Sequence, residues 1–338
     1  MIAKIYHYIT SDTDPFHNLA LEEWLLRRVG ADECIMYLWQ NKRTVVIGRN
    51  QNPWSECLVS QLESEGGQLA RRLSGGGAVY HDLGNLNFTF LVQAENYDVL
   101  RQSEVILHAL RVFGIEAKLS GRNDIEVEGK KCSGSAYYRS GRQCYHHGTL
   151  LVELDIEDMS KYLCVDPSKL SSKGVSSVRS RVVNLQRISP ELTVEKLKRQ
   201  LAESFAEVYG LNSKTFWLGD TDLSERRDFF ASEGWRFGAS PSLSAEIKER
   251  FSWGDLRLCF ELEQGKVSDI QVFSDGMEAE FLASLPKLIR GCSYELSALK
   301  MRLTGVSLRS EAEAQILSDC SQLFDRLFER QMKEDLHV

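Results

Sequence analysis

Arg71-Arg72-Leu73-Ser74-Gly75-Gly76-Gly77-Ala78-Val79-Tyr80-His81-Asp82, followed closely by Asn85 and Asn87, is the stretch around which the rest of the chain is organised. Three successive glycines between two arginines and a histidine describe a backbone that bends sharply and admits an anion to its N–H groups, because glycine takes positive φ without steric cost. Phosphate is the guest such a loop suits. The residues after it, Asn87-Phe88-Thr89-Phe90-Leu91-Val92, are apolar and β-rich, so a strand gives the loop a rigid support. Taken alone, the same stretch also reads as a glycine-rich hairpin turn with two surface arginines. No G-x-x-x-x-G-K-[ST] occurs in the chain, and Tyr80 stands where G-x-G-x-x-G needs its last glycine, so a nucleotide site here is of another design.

A chain of 338 residues, 43% hydrophobic and 26% charged, has the composition of a globular protein with room for two domains. Its net charge of −7 argues against a general nucleic-acid or membrane-surface partner, so the cationic segments are local devices. The eight cysteines show no C-x-x-C pair and no zinc-like spacing, and are expected to be reduced thiols. The first residues, Met1 to His7, alternate like a strand rather than a signal peptide, and no apolar run is long enough to span a bilayer, so the expected compartment is cytoplasmic.

Asp14-Pro15 predicts a helix start and Gly30 its end, with Glu22, Glu23 and Trp24 on the way. Cys34 to Gln40 and Thr44 to Gly48 predict two strands, and Asn52-Pro53 a second helix from Trp54 to Gly66-Gly67. Gln68 to Arg72 is then a short strand leading into the glycine loop, which places that loop in a mixed α/β layer. Further helices are predicted over Asp98 to Phe113 and Thr193 to Tyr209, each followed by glycine. Turn signals in Ser224 to Pro241 suggest the end of a large domain. Beyond them, Glu249 to Phe260 and Lys266 to Phe273 alternate as two strands, and Met277 to His337 is largely helical.

A second informative stretch runs from Ser120-Gly121-Arg122-Asn123-Asp124 through Gly129-Lys130-Lys131-Cys132-Ser133-Gly134-Ser135-Ala136 to His146-His147-Gly148-Thr149. A lysine ammonium can neutralise phosphate and carboxylate oxygens together, and small residues let the backbone come close. A basic hairpin turn is the alternative, and adjacent histidines on a strand point to opposite faces and cannot chelate one metal together. A third stretch, Lys169 to Arg187, carries Lys169, Lys173, Arg179, Arg181 and Arg187 with no acidic residue. It suits a segment ordered by phosphate, or a solvated basic linker.

Taken in order, Asp14-Pro15 to Glu23, Thr44 to Arg49 with Gln51 to Trp54, Arg71 to Asp82, Ser120 to Asp124, Lys131 to Tyr137, His146 to Leu151 and Lys173 to Leu185 resemble the lipoate-protein ligases of the bacterial A type, in the biotin/lipoate protein ligase family. The resemblance is dense over roughly the first 190 residues and looser beyond. It implies a mixed α/β fold: a class II synthetase-like catalytic domain over residues 1–243, with mixed sheets flanked by helices, and a small α/β accessory domain over residues 249–338. It also implies ATP-dependent activation of lipoate to lipoyl-AMP with release of pyrophosphate. The acyl group then passes to a lysine of lipoyl domains in 2-oxoacid dehydrogenase complexes or of glycine cleavage H protein. Lys131 would be the catalytic residue. Arg72, Gly77, Ala78, Val79, Tyr80, Asn123, Asp124, Lys173 and Arg179 would join it at ATP, and Asp124 would hold Mg2+. Arg72, His81, Lys131, Ser135, Ala136, His147 and Gly148 would meet lipoate or octanoate. A monomer is the expected state. Cys132 and Cys144 flank the lysine, so an ATP-independent acyltransferase with a cysteine relay stays open, as does a catalytically silent binding module.

Overall fold

Asp14 starts the first helix, α1 (Pro15–Arg28). Its carboxylate accepts the Phe16 N–H at 3.1 Å, and Pro15 takes the first helical position, where its missing N–H costs nothing. The structure is a computed structural model that describes residues 1–164, 181–219, 221–238, 245–263 and 265–335. The chain divides into two units, one of Met1–Ile47, Pro53–Arg72 and Ala78–Arg236, the other of Gly48–Asn52, Leu73–Gly77 and Phe237–Val338.

The first unit begins with β1 (Lys4–Ile9), α1, β2 (Glu33–Trp39), β3 (Thr44–Ile47), α2 (Pro53–Glu56), α3 (Val59–Ser64), β4 (Gln68–Arg71) and β5 (Val79–His81). It continues with β6 (Asn85–Gln93), α4 (Val99–Val112), β7 (Lys118–Ser120), β8 (Asp124–Val127), β9 (Lys130–Ser140), β10 (Gln143–Leu151) and α5 (Ile156–Tyr162). The last elements are α6 (Val194–Tyr209), β11 (Ser213–Thr215), α7 (Ser224–Ala231) and α8 (Glu233–Arg236). Among the described residues eight strands form one sheet in the order β11-β1-β2-β6-β10-β9-β8-β7, parallel from β11 to β2 and antiparallel beyond. Three more form β4-β3-β5, with β3 parallel to β4 and antiparallel to β5. Both sheets are flanked by helices, as the mixed α/β class requires.

One face of the large sheet is apolar. Leu86, Phe88 and Phe90 of β6 pack there with Val105, Ile106 and Leu110 of α4 and Leu197, Leu201 and Phe205 of α6, all fully buried. Those helices have the predicted ends: Asp98 and Thr193 cap them, and Gly210 closes α6 at φ 62. The second unit has its own core, in which β12 (Ala245–Phe251), β13 (Gly254–Glu263) and β14 (Lys266–Ser274) meet α9 (Ala279–Ile289), α10 (Leu296–Arg302) and α11 (Glu311–Asp335).

Three expectations are corrected. The predicted helix from Trp54 to Gly66 is two short ones, because the backbone at Cys57 turns aside to pair with Leu163. Leu58 N–H donates to the Tyr162 carbonyl and Cys164 N–H to that of Glu56, both at 2.9 Å. Glu249 to Phe260 is not one strand but the hairpin β12-β13, folded at Ser252-Trp253 so that Phe251 opposes Gly254. Finally, Leu73–Gly77 groups with the second unit, not with the mixed α/β layer that β4 and β5 belong to. Only Gly76 of its three glycines takes positive φ, at 87°. Gly75 is needed for closeness, since a Cβ there would lie 2.1 Å from the Gly276 carbonyl oxygen.

Candidate active site

The other face of the large sheet is polar and yet buried. Strand alternation puts Asn85, Asn87 and Thr89 opposite the apolar side chains of β6, and each is at most 1% exposed. Register continues that face across neighbouring strands: Thr89 lies between Tyr37 and His147, His147 beside Ala136, and Asn87 between Trp39 and Thr149. α1 covers part of it, with buried Glu22 accepting from Thr89 Oγ1 at 2.7 Å and from His147 Nδ1 at 2.9 Å. Trp39 Nε1 donates to Thr89 Oγ1 at 3.1 Å and completes a chain of four residues from three strands and a helix.

Lys131 stands at the start of β9, after a two-residue turn in which Glu128 and Gly129 both have positive φ, 52° and 75°. Two positive φ values in a row mark the tight turn whose twist matches that of paired strands. Its Nζ lies 2.8 Å from Asp124 Oδ1, and both side chains are about a third exposed, at 36% and 31%. The Lys131 backbone is also held from the other side, by a bridge to Val182 and by the Val183 N–H donating to its carbonyl at 2.9 Å.

Arg72 is 5% exposed and donates from Nη1 to the Val46 carbonyl at 3.1 Å. Burial pulls its guanidinium down to about 10, against the pull of Tyr145 and Glu22. His81 Nδ1 pairs with Asn41 Nδ2 at 3.2 Å, and its ring meets Trp39 edge-on at 6.0 Å. Burial, with the charges of Arg72 and His147, holds His81 down to about 3, so it is neutral near pH 7. Its Nε2, Asn85 Oδ1 and Asn87 Nδ2 are buried and bond to no other described protein atom. Such groups cost roughly 1–3 kcal/mol each, which a protein retains where they serve a ligand.

Thus Ala136 and His147 lie on the polar face, His81 of the smaller sheet meets it at Trp39, Arg72 lies near it through Tyr145 and Glu22, and Lys131 with Asp124 lies at its β8-β9 end. Other predicted residues are placed differently. Ser135 Oγ meets His146 Nε2 at 3.0 Å on the apolar side, and a Cβ at Gly148 would meet Phe88 Cζ at 2.6 Å there. Asn123 Nδ2 donates to the Ser135 carbonyl at 3.0 Å and ties two strands together. The Tyr80 hydroxyl donates to Asp158 Oδ2 at 3.3 Å, on the face of β5 away from His81. Ala78 and Val79 are half-buried, Gly77 is exposed in the loop of the second unit, and Lys173 and Arg179 lie outside the described residues. Glu22, Trp39, Asn87, Thr89 and Thr149 lie on or against the same face and had no predicted role. For Asn87 and Thr89 the signal was the alternation Asn85-Leu86-Asn87-Phe88-Thr89-Phe90, whose polar half normally faces water.

The thiols do not suit nucleophilic work. Cys132 and Cys144 are fully buried; burial pushes Cys132 up to about 12 and Cys144 in the same direction. Among the described residues no three His, Cys, Asp or Glu side chains converge on a metal position. Asp124 offers one carboxylate, which fits a Mg2+ ion that takes its remaining oxygens from phosphates and water. Among the described residues no helix is long and apolar enough to cross a membrane.

Residues 14–206 match the lipoyl protein ligase A/B catalytic domain family, and residues 240–324 the bacterial lipoate protein ligase C-terminus. A lipoate-protein ligase A of Psychrobacter cryohalolentis is 37% identical over 321 residues, which cover 92% of this chain and 95% of that protein. The crystal structure of P. falciparum LipL1 in complex with lipoate superposes with a TM-score of 0.82 at 29% identity, covering 94% of this chain and 99% of that one. A lipoate-protein ligase A bound with ATP superposes with a TM-score of 0.60 at 26% identity, covering 70% of this chain and 99% of the other. In sequence, in fold and across both of its matched regions, the chain belongs to the lipoate-protein ligases.

Proposed function

We propose that this ligase activates lipoate with ATP, forming lipoyl-AMP and pyrophosphate, and then passes the lipoyl group to a lysine of an acceptor lipoyl domain. The observation that carries the reading is a partly exposed cation, Lys131 against Asp124, at the end of a buried face beside which Arg72 lies. A carboxylate is a poor electrophile and must become a mixed anhydride first. Both steps build negative charge at phosphate or carbonyl oxygens, and fixed cations stabilise it. Lys131 would neutralise the lipoate carboxylate and the α-phosphate together, and Arg72 would hold the same group from the buried side. The face from Ala136 and His147 to Trp39 and His81 would take the acyl chain. Asp124 would hold Mg2+, which would supply positive charge to stabilise phosphate oxygens.

The acceptors are lipoyl domains of 2-oxoacid dehydrogenase complexes or H protein, and the compartment is the cytoplasm, which suits eight free thiols. The test is lipoate-dependent exchange of labelled pyrophosphate into ATP. Wild type supports it. Lys131→Ala loses both half-reactions, by about 3 kcal/mol or more in the first, or upwards of a hundredfold. Exchange without lipoate, or full exchange in Lys131→Ala, refutes the assignment.

A further inference from the structure

Lys131 and Gly134 are three residues apart on one strand and should face opposite sides of the sheet. They do not. Along β8-β9, Asp124 opposes Gly134 and Ile125 opposes Ser133, but Glu126 opposes Lys131, so Cys132 is an extra residue without a partner. Its thiol turns into the core and donates to the Ile125 carbonyl at 3.4 Å. This bulge reverses the alternation and brings the lysine to the polar side, over Gly134 and towards Asp124. A Cβ on Gly134 would lie 2.7 Å from Lys131 Nζ and 2.8 Å from its Cε. The next nearest atom is Asp124 Oδ1 at 3.8 Å, an ordinary contact.

We propose that Gly134 is a positioning residue for Lys131: the bulge at Cys132 aims the lysine, and the bare backbone at Gly134 is the shelf along which its amine reaches Asp124. The inference rests on the ligase reading above. It also makes a distinction that a structural role for Gly134 does not. Among the described residues, the only atoms a methyl group at 134 would displace are the end of a flexible side chain, so Gly134→Ala folds as wild type does and moves the amine alone. Gly148→Ala is the contrasting change, because its Cβ would meet the Phe88 ring at 2.6 Å and the Gly134 carbonyl oxygen at 2.8 Å.

Gly134→Ala is therefore compared with wild type in thermal unfolding and in lipoate-dependent pyrophosphate exchange. The expected result is an unchanged unfolding temperature, a fall in kcat of about tenfold or more, and KM values for ATP and lipoate that stay put. In a Lys131→Ala background the same substitution does nothing further, because the group it displaces is gone. Trace acetylation of the native protein, read as the ratio of label on Lys131 to label on Lys130, rises in Gly134→Ala as the amine leaves the shelter of Asp124. A kcat equal to wild type, or an equal further loss in the Lys131→Ala background, overturns the proposal. If wild type itself shows no exchange, the ligase reading has failed, and the acetylation ratio decides the placement by itself: a rise sustains it and an unchanged ratio ends it.

Discussion

At the scale of single residues, this protein keeps neutral histidines where water cannot reach. Burial, with the neighbouring charges, holds His81 and His146 down to about 3, against 6.5 when unfolded. Below pH 6.5 the unfolded chain binds protons that the folded one refuses, so their contribution is intact above that pH and is lost as pH falls towards 3. Each histidine then costs about 1.4 kcal/mol per pH unit. Urea unfolding between pH 7.5 and 5.5 should show stability falling, and His146→Gln, less stable throughout, should show a shallower fall. An equal slope in the variant contradicts the buried neutral state. Lys131 was legible in the sequence as a lysine before small residues. Glu22 and Trp39 were not, because a role that depends on covering one face of a distant strand leaves no local trace.

At the scale of elements, propensity and caps were a good guide where segments are long and amphipathic. α1, α4 and α6 begin at the predicted Asp14, Asp98 and Thr193. Prediction broke where tertiary pairing overrides local preference, as at Cys57, and where a turn has unremarkable chemistry, as at Ser252-Trp253. The hairpin that presents Lys131 depends on its turn. Gly129 has φ 75° and no atom of the described residues within 4 Å of where a Cβ would stand, so strain is the cost of a side chain there. Gly129→Ala should lower stability by about 1 kcal/mol, and Gly129→Asn by less, since asparagine tolerates that conformation. Denaturant melts measure the difference. An alanine variant as stable as wild type contradicts the strain at this turn.

At the scale of the whole molecule, the two units have separate cores, one between the large sheet and α4 and α6, the other between β12-β14 and α9-α11. Calorimetry should accordingly resolve two transitions, and Leu258→Ala, which empties a fully buried position of the second core, should shift only one of them. A single transition that moves as a whole contradicts independent cores. The sequence divides at its turn-rich middle, but nothing in it shows that Gly48–Asn52 and Leu73–Gly77 keep company with residues beyond 236. Such grouping joins segments far apart in the chain. The most direct test of the account is mass detection of lipoyl-AMP after the full-length protein is mixed with lipoate, ATP and Mg2+ and no acceptor. The adenylate should accumulate with wild type and with Cys132→Ser, and be absent with Lys131→Ala. Acceptor lipoylation that proceeds with all nucleotide removed, and no adenylate at any stage, contradicts it.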